Sequence, residues 1–470
     1  MKNEEKIHGR FYTPEYIVSN ILDLSNYNGS NILKKHVIDN SCGQGAFLIE
    51  IVKRYCEAAK ENNVSDNELK KDLETFIHGI ELDKIEKNKC VAFLDNLCKT
   101  FNIFNVKWDI IQGNTLNINK YNGKMDFVLG NPPYVRVHNL NNDFEAVKNY
   151  SFASQGMTDL FIVFYQIGLN MLNKNGILGY ITPSSLFNSI ASSKLRKELV
   201  LNNYIDAVVD LQHFQAFEVT TYTTILILNN NKKNTNVKFY NYDENKRSPK
   251  FIEKLEYNDF YINDNFYFAD KKKLSLLKNI FTNNQHSNVN VKNGYATLCD
   301  GVFVNNFNFN SKHIIKAIKC STGDIKNMFY PYDKNGKIID EQELKKDKKV
   351  YNYLLENKDK LLNRSTEKNA TWYAFGRSQG INDTYKNKIS INTLVRNASD
   401  VKINIIPSGV GMYSGLYIIS DKDDLDEVKN VLQSDEFVQY VSLLGKYKSG
   451  GYYTFSSKDI KAYLDYKLSS

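Results

Sequence analysis

Four residues, Asn131-Pro132-Pro133-Tyr134, follow the apolar run Met125-Asp126-Phe127-Val128-Leu129-Gly130, and their types suit chemistry on a flat amino group. Asn131 offers a side-chain carbonyl, Pro132 a backbone carbonyl without a competing N–H, and Tyr134 a π-face. Two converging acceptors that take both hydrogens of a planar NH2 draw the nitrogen lone pair out of conjugation. A neutral amine so held can attack an electrophilic methyl without a strong base. A proline-stiffened turn capped by asparagine would use the same residues.

Other segments carry groups that could hold a nucleoside. Asp39-Asn40-Ser41-Cys42-Gly43-Gln44-Gly45 combines a strand-end carboxylate with a glycine turn open to close approach, and it lacks the third glycine of a dinucleotide fingerprint. Glu81, in Phe76-Ile77-His78-Gly79-Ile80-Glu81-Leu82-Asp83, is placed to accept both hydroxyls of a ribose, or to be a solvated strand end. Asn114, in Gln112-Gly113-Asn114-Thr115, could read a purine amino edge or make the turn. Phe164 could pack on a purine or fill the core. In Gly9-Arg10-Phe11-Tyr12-Thr13-Pro14-Glu15-Tyr16, Thr13 reads as an N-cap and Pro14 as the first helical residue, a helix start that could hold a carboxylate.

The elements that must position these groups alternate. Strands are expected near 37–39, 76–83, 106–111, 125–130, 176–182, 205–211 and 222–228, with helices running to about Leu24 and Lys60 and over 84–100, 157–173 and 190–201. That alternation specifies an α/β, doubly wound sheet, in which ligands bind at the carboxyl ends of the strands. The loop 135–156 is long enough to be a lid. Phe214-Gln215-Ala216-Phe217-Glu218-Val219 puts two aromatics between the last two strands. The polar run from Asn229 to Asn236 marks the boundary between a first domain, 1–230, and a second, 237–470, of mixed α+β character.

Charge separates the halves. Residues 1–230 carry 23 Lys+Arg against 25 Asp+Glu, and residues 231–470 carry 38 against 28. The excess suits contact with a polyanion, or simply a solvated surface. Within the second half, Trp372-Tyr373-Ala374-Phe375-Gly376-Arg377-Ser378-Gln379-Gly380 and Lys446-Tyr447-Lys448-Ser449-Gly450-Gly451-Tyr452-Tyr453 interleave aromatics with Arg377, Lys446 and Lys448, which fits nucleic-acid contact or the rim of a small core. The six cysteines form no C-x-x-C pair and the seven histidines no metal-ligand spacing, so a reduced cytoplasmic protein without a metal is expected. Met1 to Arg10 lacks an apolar signal core, and no stretch reaches the length of about 18 apolar residues that a membrane span needs.

In their order, these segments resemble the gamma-class (Asn-Pro-Pro-Tyr) DNA adenine-N6 methyltransferases of type II restriction-modification systems. The resemblance covers the first half and extends loosely to a basic target-recognition domain in the second. It implies an S-adenosylmethionine-dependent methyltransferase fold. Thr13, Asp39, Ser41, Gly43 and Gly45 would surround the methionine part of S-adenosyl-L-methionine, Glu81 the ribose, Asn114 the adenine amino group and Phe164 the adenine face. Asn131, with the carbonyl of Pro132 and the stiffening Pro133, would grip the target N6, and Tyr134 and Phe217 would sandwich a base flipped out of the duplex. Asn114 stands where many members have Asp, and Phe214 competes with Phe217.

The expected activity is sequence-specific methylation of adenine N6 in double-stranded DNA, as protective modification in a restriction-modification system or as orphan epigenetic marking, by a monomer acting apart from any cognate restriction endonuclease. The competing readings are transfer to a protein glutamine or RNA amino group, a bifunctional endonuclease-methyltransferase, and a catalytically silent DNA-binding protein. Only eight residues precede Gly9 and no separated Asp…Glu-x-Lys cluster stands out, which disfavours a nuclease.

Overall fold

The apolar runs of the first half line up in one nine-stranded sheet. The computed structural model describes residues 12–136, 144–154, 158–217, 221–231, 235–368, 370–420 and 424–468. Gly9, Arg10, Phe11, Glu218, Val219 and parts of the loop 135–156 lie outside the described residues. The strands are β1 (Val37–Asp39), β2 (Ile77–Glu81), β3 (Asp109–Gln112), β4 (Met125–Gly130), β5 (Leu172–Pro183), β6 (Ile205–Asp210), β7 (Thr223–Asn229), β8 (Asn236–Asp243) and β9 (Ser248–Glu256). Their spatial order is β3-β2-β1-β4-β5-β7-β6-β8-β9.

β1 pairs in parallel with β2 and β4, β2 with β3, and β4 with β5. β7 runs antiparallel between β5 and β6, β8 lies parallel to β6, and β9 closes the order as an antiparallel outer strand with an irregular register between Phe239 and Tyr240. The winding reverses between β1 and β4, so the crevice beyond their carboxyl ends is the ligand position that such a sheet creates. Asp39 ends one of these strands and Gly130-Asn131 leaves the other.

Helices accompany the strands: α1 (Glu15–Leu24), α2 (Ala46–Glu61), α3 (Asp66–Phe76), α4 (Lys84–Lys99), α5 (Leu160–Met171), which is buried on nearly every face, and α6 (Ser193–Leu201). α2 buries Phe47, Leu48, Ile51, Val52 and Tyr55, a stripe at helical spacing. α4 starts on Asp83, whose carboxylate accepts from Ile85 N at 2.7 Å. Ile17, Ile21, Leu48, Ile51, Leu73, Leu94 and Phe127 belong to one buried cluster between helices and sheet. Among the described residues no helix is long and apolar enough to cross a membrane.

The expected domain boundary falls inside this sheet. β7 ends at Asn229 and β8 begins at Asn236, so the polar run is a connection within the first unit. Val237 and Phe239 bury their side chains there. Their alternation is too short to outweigh the polar flanks that suggest a linker. The compact units are Met1–Ser275 and Leu276–Ser470. At that division the first unit carries 33 Lys+Arg against 32 Asp+Glu and the second 28 against 21, so the basic excess stays with the second.

The second unit contains three small sheets among helices. Val289–Asn293, Leu416–Ser420, Lys388–Ile391 and Ile403–Ile406 form a four-stranded one, and Ile325–Phe329, Ile314–Lys319 and Gly411–Tyr413 a three-stranded one. Leu394–Val395, Tyr452–Thr454 and Tyr447–Lys448 form the third. The aromatic segment 372–375 is mainly core: Tyr373 and Phe375 are buried, and Phe375 stacks on Tyr295 with ring centroids 4.7 Å apart.

Candidate active site at the carboxyl ends of β1 and β4

Parallel pairing brings the chemistry-bearing residues to one edge. Asp39 is buried at the end of β1, and its Oδ1 accepts from Ser41 N at 3.0 Å. Burial pushes its carboxyl up to about 7; the Ser41 N–H pulls it down and the Glu81 charge adds to the rise. Gly130 passes beside it, where a Cβ would stand 2.7 Å from Asp39 Oδ1. The glycine before Asn131 is thus a steric requirement that its place in an apolar run does not announce.

The turn after β1 has the left-handed conformations that its glycines permit. Gly43 has φ +52 with open space where a Cβ would be, and Gly45 has φ +93. Gly45 also abuts α4, since a Cβ there would stand 2.7 Å from Cys90 Sγ. Glu81, at the end of β2, accepts from Gly43 N at 2.9 Å and from Asp83 N at 2.8 Å through different oxygens. Each oxygen keeps acceptor capacity for a hydroxyl. Gly43, Gly45, Asp39 and Glu81 therefore share one cradle, with two carboxyl groups in it.

The loop after β4 is fixed from three sides. Ser41 Oγ donates to the Asn131 carbonyl at 3.2 Å, Asn131 Nδ2 donates to Thr13 Oγ1 at 3.1 Å, and Tyr134 OH donates to the Ile181 carbonyl at 3.0 Å. Burial pushes the Tyr134 phenol well above its usual range. Asn131 Oδ1 is buried and has no hydrogen-bond partner among the described residues. An orphaned buried acceptor costs on the order of 1–3 kcal/mol, so its retention calls for a reason.

Thr13 does not cap α1. The helix begins at Glu15 on the Pro14 carbonyl, and the Thr13 hydroxyl turns instead to Asn131. Capping and tertiary contact draw on the same residue types, which is why the sequence misleads here. Asn114 takes the cap role that was its alternative, accepting from Leu116 N at 3.0 Å at the start of a 3-10 turn. Phe164 is buried on α5.

Phe217 reaches Tyr134, but the rings meet edge to face, with centroids 6.1 Å apart and planes at 80°. They are not the parallel walls of a sandwich, so one ring must turn to admit a base between them. Phe214, the competing ring, is engaged elsewhere: it stacks on Tyr242 at 4.7 Å and meets Tyr16 edge-on at 6.4 Å. Arg247, in the β8–β9 turn, lies 5.0 Å over the Tyr16 ring, and its carbonyl accepts from Asn20 Nδ2 at 2.9 Å. Assigning the residues from 237 onward to the second domain hides Tyr242 and Arg247 as neighbours of this edge.

In the second unit Arg377 is exposed, with Nη1 donating to the Ser365 and Gly376 carbonyls, and Lys448 is exposed in its short strand. Lys446 is paired with Asp459 at 2.5 Å. Among the described residues no group of three or more His, Cys, Asp or Glu could hold a metal ion.

Residues 34–217 match a family described as Eco57I restriction-modification methylase. The matched span takes in Asp39, Glu81, Asn131 and Phe217. The chain is 26% identical over 247 residues to the type II restriction enzyme and methyltransferase RM.Eco57I of Escherichia coli, covering 50% of this chain and 22% of that protein. It is 28% identical over 243 residues to the type II methyltransferase M.BstVI of Geobacillus stearothermophilus, covering 47% and 42% respectively. A solved structure of the type IIL restriction-modification enzyme MmeI in complex with DNA superposes with a TM-score of 0.62 at 14% identity, over 97% of this chain and 66% of that one. The chain is thus similar to restriction-modification methyltransferases, and its matches span less than half of either curated relative.

Proposed function

We propose that this chain transfers a methyl group from S-adenosylmethionine to N6 of an adenine flipped out of double-stranded DNA, as the modification activity of a restriction-modification system. The observation that carries the reading is the unpartnered, buried Oδ1 of Asn131 at the carboxyl end of β4. An acceptor left open beside the cradle of Asp39, Gly43, Gly45 and Glu81 is what recognition of an amino group requires.

The cradle fits the cofactor. Gly43 leaves open space for close approach, Glu81 keeps acceptor capacity for ribose hydroxyls, and the buried Asp39 beside Glu81 makes a site that favours a cationic ligand. When bound, S-adenosylmethionine supplies an electrophilic methyl on a sulfonium sulfur. Asn131 Oδ1 and the Pro132 carbonyl accept the two amino hydrogens of the adenine, raising the nucleophilicity of N6. Tyr134, tethered to Ile181, offers a fixed face for the base, and Phe217 closes on it after turning from its edge-on contact. Stacking on two rings offsets part of the few kcal/mol that unstacking an adenine costs. The basic second unit supplies the contact with duplex DNA, through exposed cations such as Arg377 and Lys448.

Asn at the first position of the tetrapeptide supports adenine over cytosine N4, whose enzymes more often have Ser there. The test is modified-base sequencing of DNA from a methylation-deficient host expressing the chain, beside an Asn131→Ala control. N6-methyladenine at one recurring site, absent from the control while the variant still binds S-adenosylmethionine, is the expected result. Undiminished methylation by Asn131→Ala would overturn the role of Asn131, and a protein or RNA product without DNA methylation would overturn the acceptor.

A further inference from the structure

We infer that Thr13 is a positioning residue for the reaction: its hydroxyl anchors the amide of Asn131 in the orientation that leaves Oδ1 for the incoming amino group. The inference rests on the reading of Asn131 as the acceptor of that group's hydrogens. It assigns Thr13 a task distinct from holding the cofactor.

The two ends of an asparagine amide are nearly the same size, so half a turn about Cβ–Cγ exchanges an acceptor for a donor at little steric cost. Only one of these orientations serves the reaction. With Nδ2 toward the substrate, an NH2 would face an NH2, and no lone pair would meet the amino hydrogens. A threonine hydroxyl can accept from Nδ2 or donate to Oδ1, so what it supplies is an anchor that holds the amide plane in place at the substrate edge. Here the far end of the amide meets Thr13: Nδ2 donates to Thr13 Oγ1 at 3.1 Å, while Oδ1 is buried and unpartnered among the described residues.

Thr13 is built to stay in place. It is buried, and a β-branched side chain has few rotamers to lose. Pro14 follows it and confines its backbone to extended conformations. The Pro14 carbonyl accepts from Ile17 N at 2.9 Å and Val18 N at 3.1 Å, tying the segment to α1. On the other side the Tyr12 hydroxyl donates to Glu86 on α4 at 3.2 Å and accepts from the Gln44 amide in the glycine turn. Residues 12–14 thus form a strap from the cofactor turn to α1, with Thr13 between its two anchors and facing the loop after β4. Ser41 Oγ fixes the backbone of Asn131 at 3.2 Å, so the side-chain torsion is the freedom that Thr13 removes.

The experiment compares the full-length enzyme with Thr13→Val and Thr13→Ser. Valine keeps the shape and removes the hydroxyl; serine restores a hydroxyl. Three readouts are taken: solvent exchange of the Asn131 side-chain NH2 in selectively 15N-asparagine-labelled protein, assigned by its loss in Asn131→Ala; S-adenosylmethionine affinity by calorimetry; and single-turnover transfer to unmethylated genomic DNA of mixed sequence. In Thr13→Val the NH2 should exchange faster and transfer should fall on the order of 10- to 100-fold, with cofactor affinity held within about twofold. Thr13→Ser should recover slow exchange and most of the rate. Unchanged exchange in Thr13→Val overturns the inference, as does a loss of rate that merely follows a loss of cofactor affinity. A wild-type enzyme that transfers nothing to DNA, while exchange still responds to valine, sinks the DNA reading and leaves Thr13's hold on Asn131 supported.

Discussion

Replacing Asp39 by asparagine probes the electrostatics of the cradle directly. Asp39 is only 2% exposed, and its carboxyl is raised from 3.8 to about 7. A carboxyl with a raised folded-state pKa contributes its full stability below the unfolded value and loses that contribution as pH rises through the folded value. At about 1.4 kcal/mol per pKa unit, a rise of about three units corresponds to roughly 4 kcal/mol, of which roughly 2 kcal/mol is lost between pH 5 and 7. Asparagine does not titrate, and its Oδ1 can still accept from Ser41 N. The stability of Asp39→Asn relative to the wild type should therefore climb by that amount from pH 5 to 7 and level off above it.

Urea unfolding of the full chain measures this in a Trp372→Phe background. Trp108 is then the sole tryptophan and reports on the first unit. Saturating S-adenosylmethionine should flatten the climb, because a cationic ligand beside Asp39 favours its ionised form. A difference between variant and wild type that stays constant from pH 5 to 7 would refute the assignment of a buried carboxyl raised to about 7 at the end of β1.

Three other perturbations follow from the same edge and from the second unit. Gly45→Ala should cost roughly 2–4 kcal/mol in urea unfolding, combining a left-handed backbone with overlap on Cys90, and Cys90→Ala in the same chain should recover the overlap share but not the backbone share. Gly130→Ala drives a methyl against the Asp39 carboxylate and should destabilise the first unit by about 1–3 kcal/mol; unchanged unfolding would show that the strand can shift away. In anisotropy titrations of a mixed-sequence duplex, Arg377→Ala and Lys448→Ala should each lower the slope of log K against log salt by about one, whereas Lys446→Ala should leave it unchanged because that ammonium is held by Asp459.

The parallel part of the sheet was legible because buried parallel strands are long apolar runs with acidic or glycine ends. Asp39, Glu81 and Asn131 terminate three such runs, and the order of strands then brings them to one edge. Residues whose role depends on a distant partner were not legible. Thr13 looks like a cap because Thr-Pro precedes a helix, and only the fold shows Asn131 within reach of its hydroxyl. Lys446 looks like a phosphate ligand until Asp459, thirteen positions later, is seen beside it. The β8–β9 pair escaped because Asn and Lys around Val237 and Phe239 dilute a short alternation. Trp372 to Phe375 shows the converse, an aromatic run beside Arg377 whose rings the second unit takes largely for its own core.

The outer position of β9 bears on how the protein behaves when crowded. A sheet that ends in a free strand offers its backbone to the next molecule, and a flat, apolar edge would seed fibrils. Here Pro249 has no N–H to lend, Lys250, Glu253, Lys254 and Glu256 place charges along the strand that a dry stack would have to desolvate, and the pairing with β8 is irregular between Phe239 and Tyr240. An edge without a full set of N–H groups and studded with charges is a poor template for a dry, flat stack of strands. Exchanging Pro249, Lys250 and Lys254 for valine or threonine would remove that protection and turn the same edge into a template for aggregation.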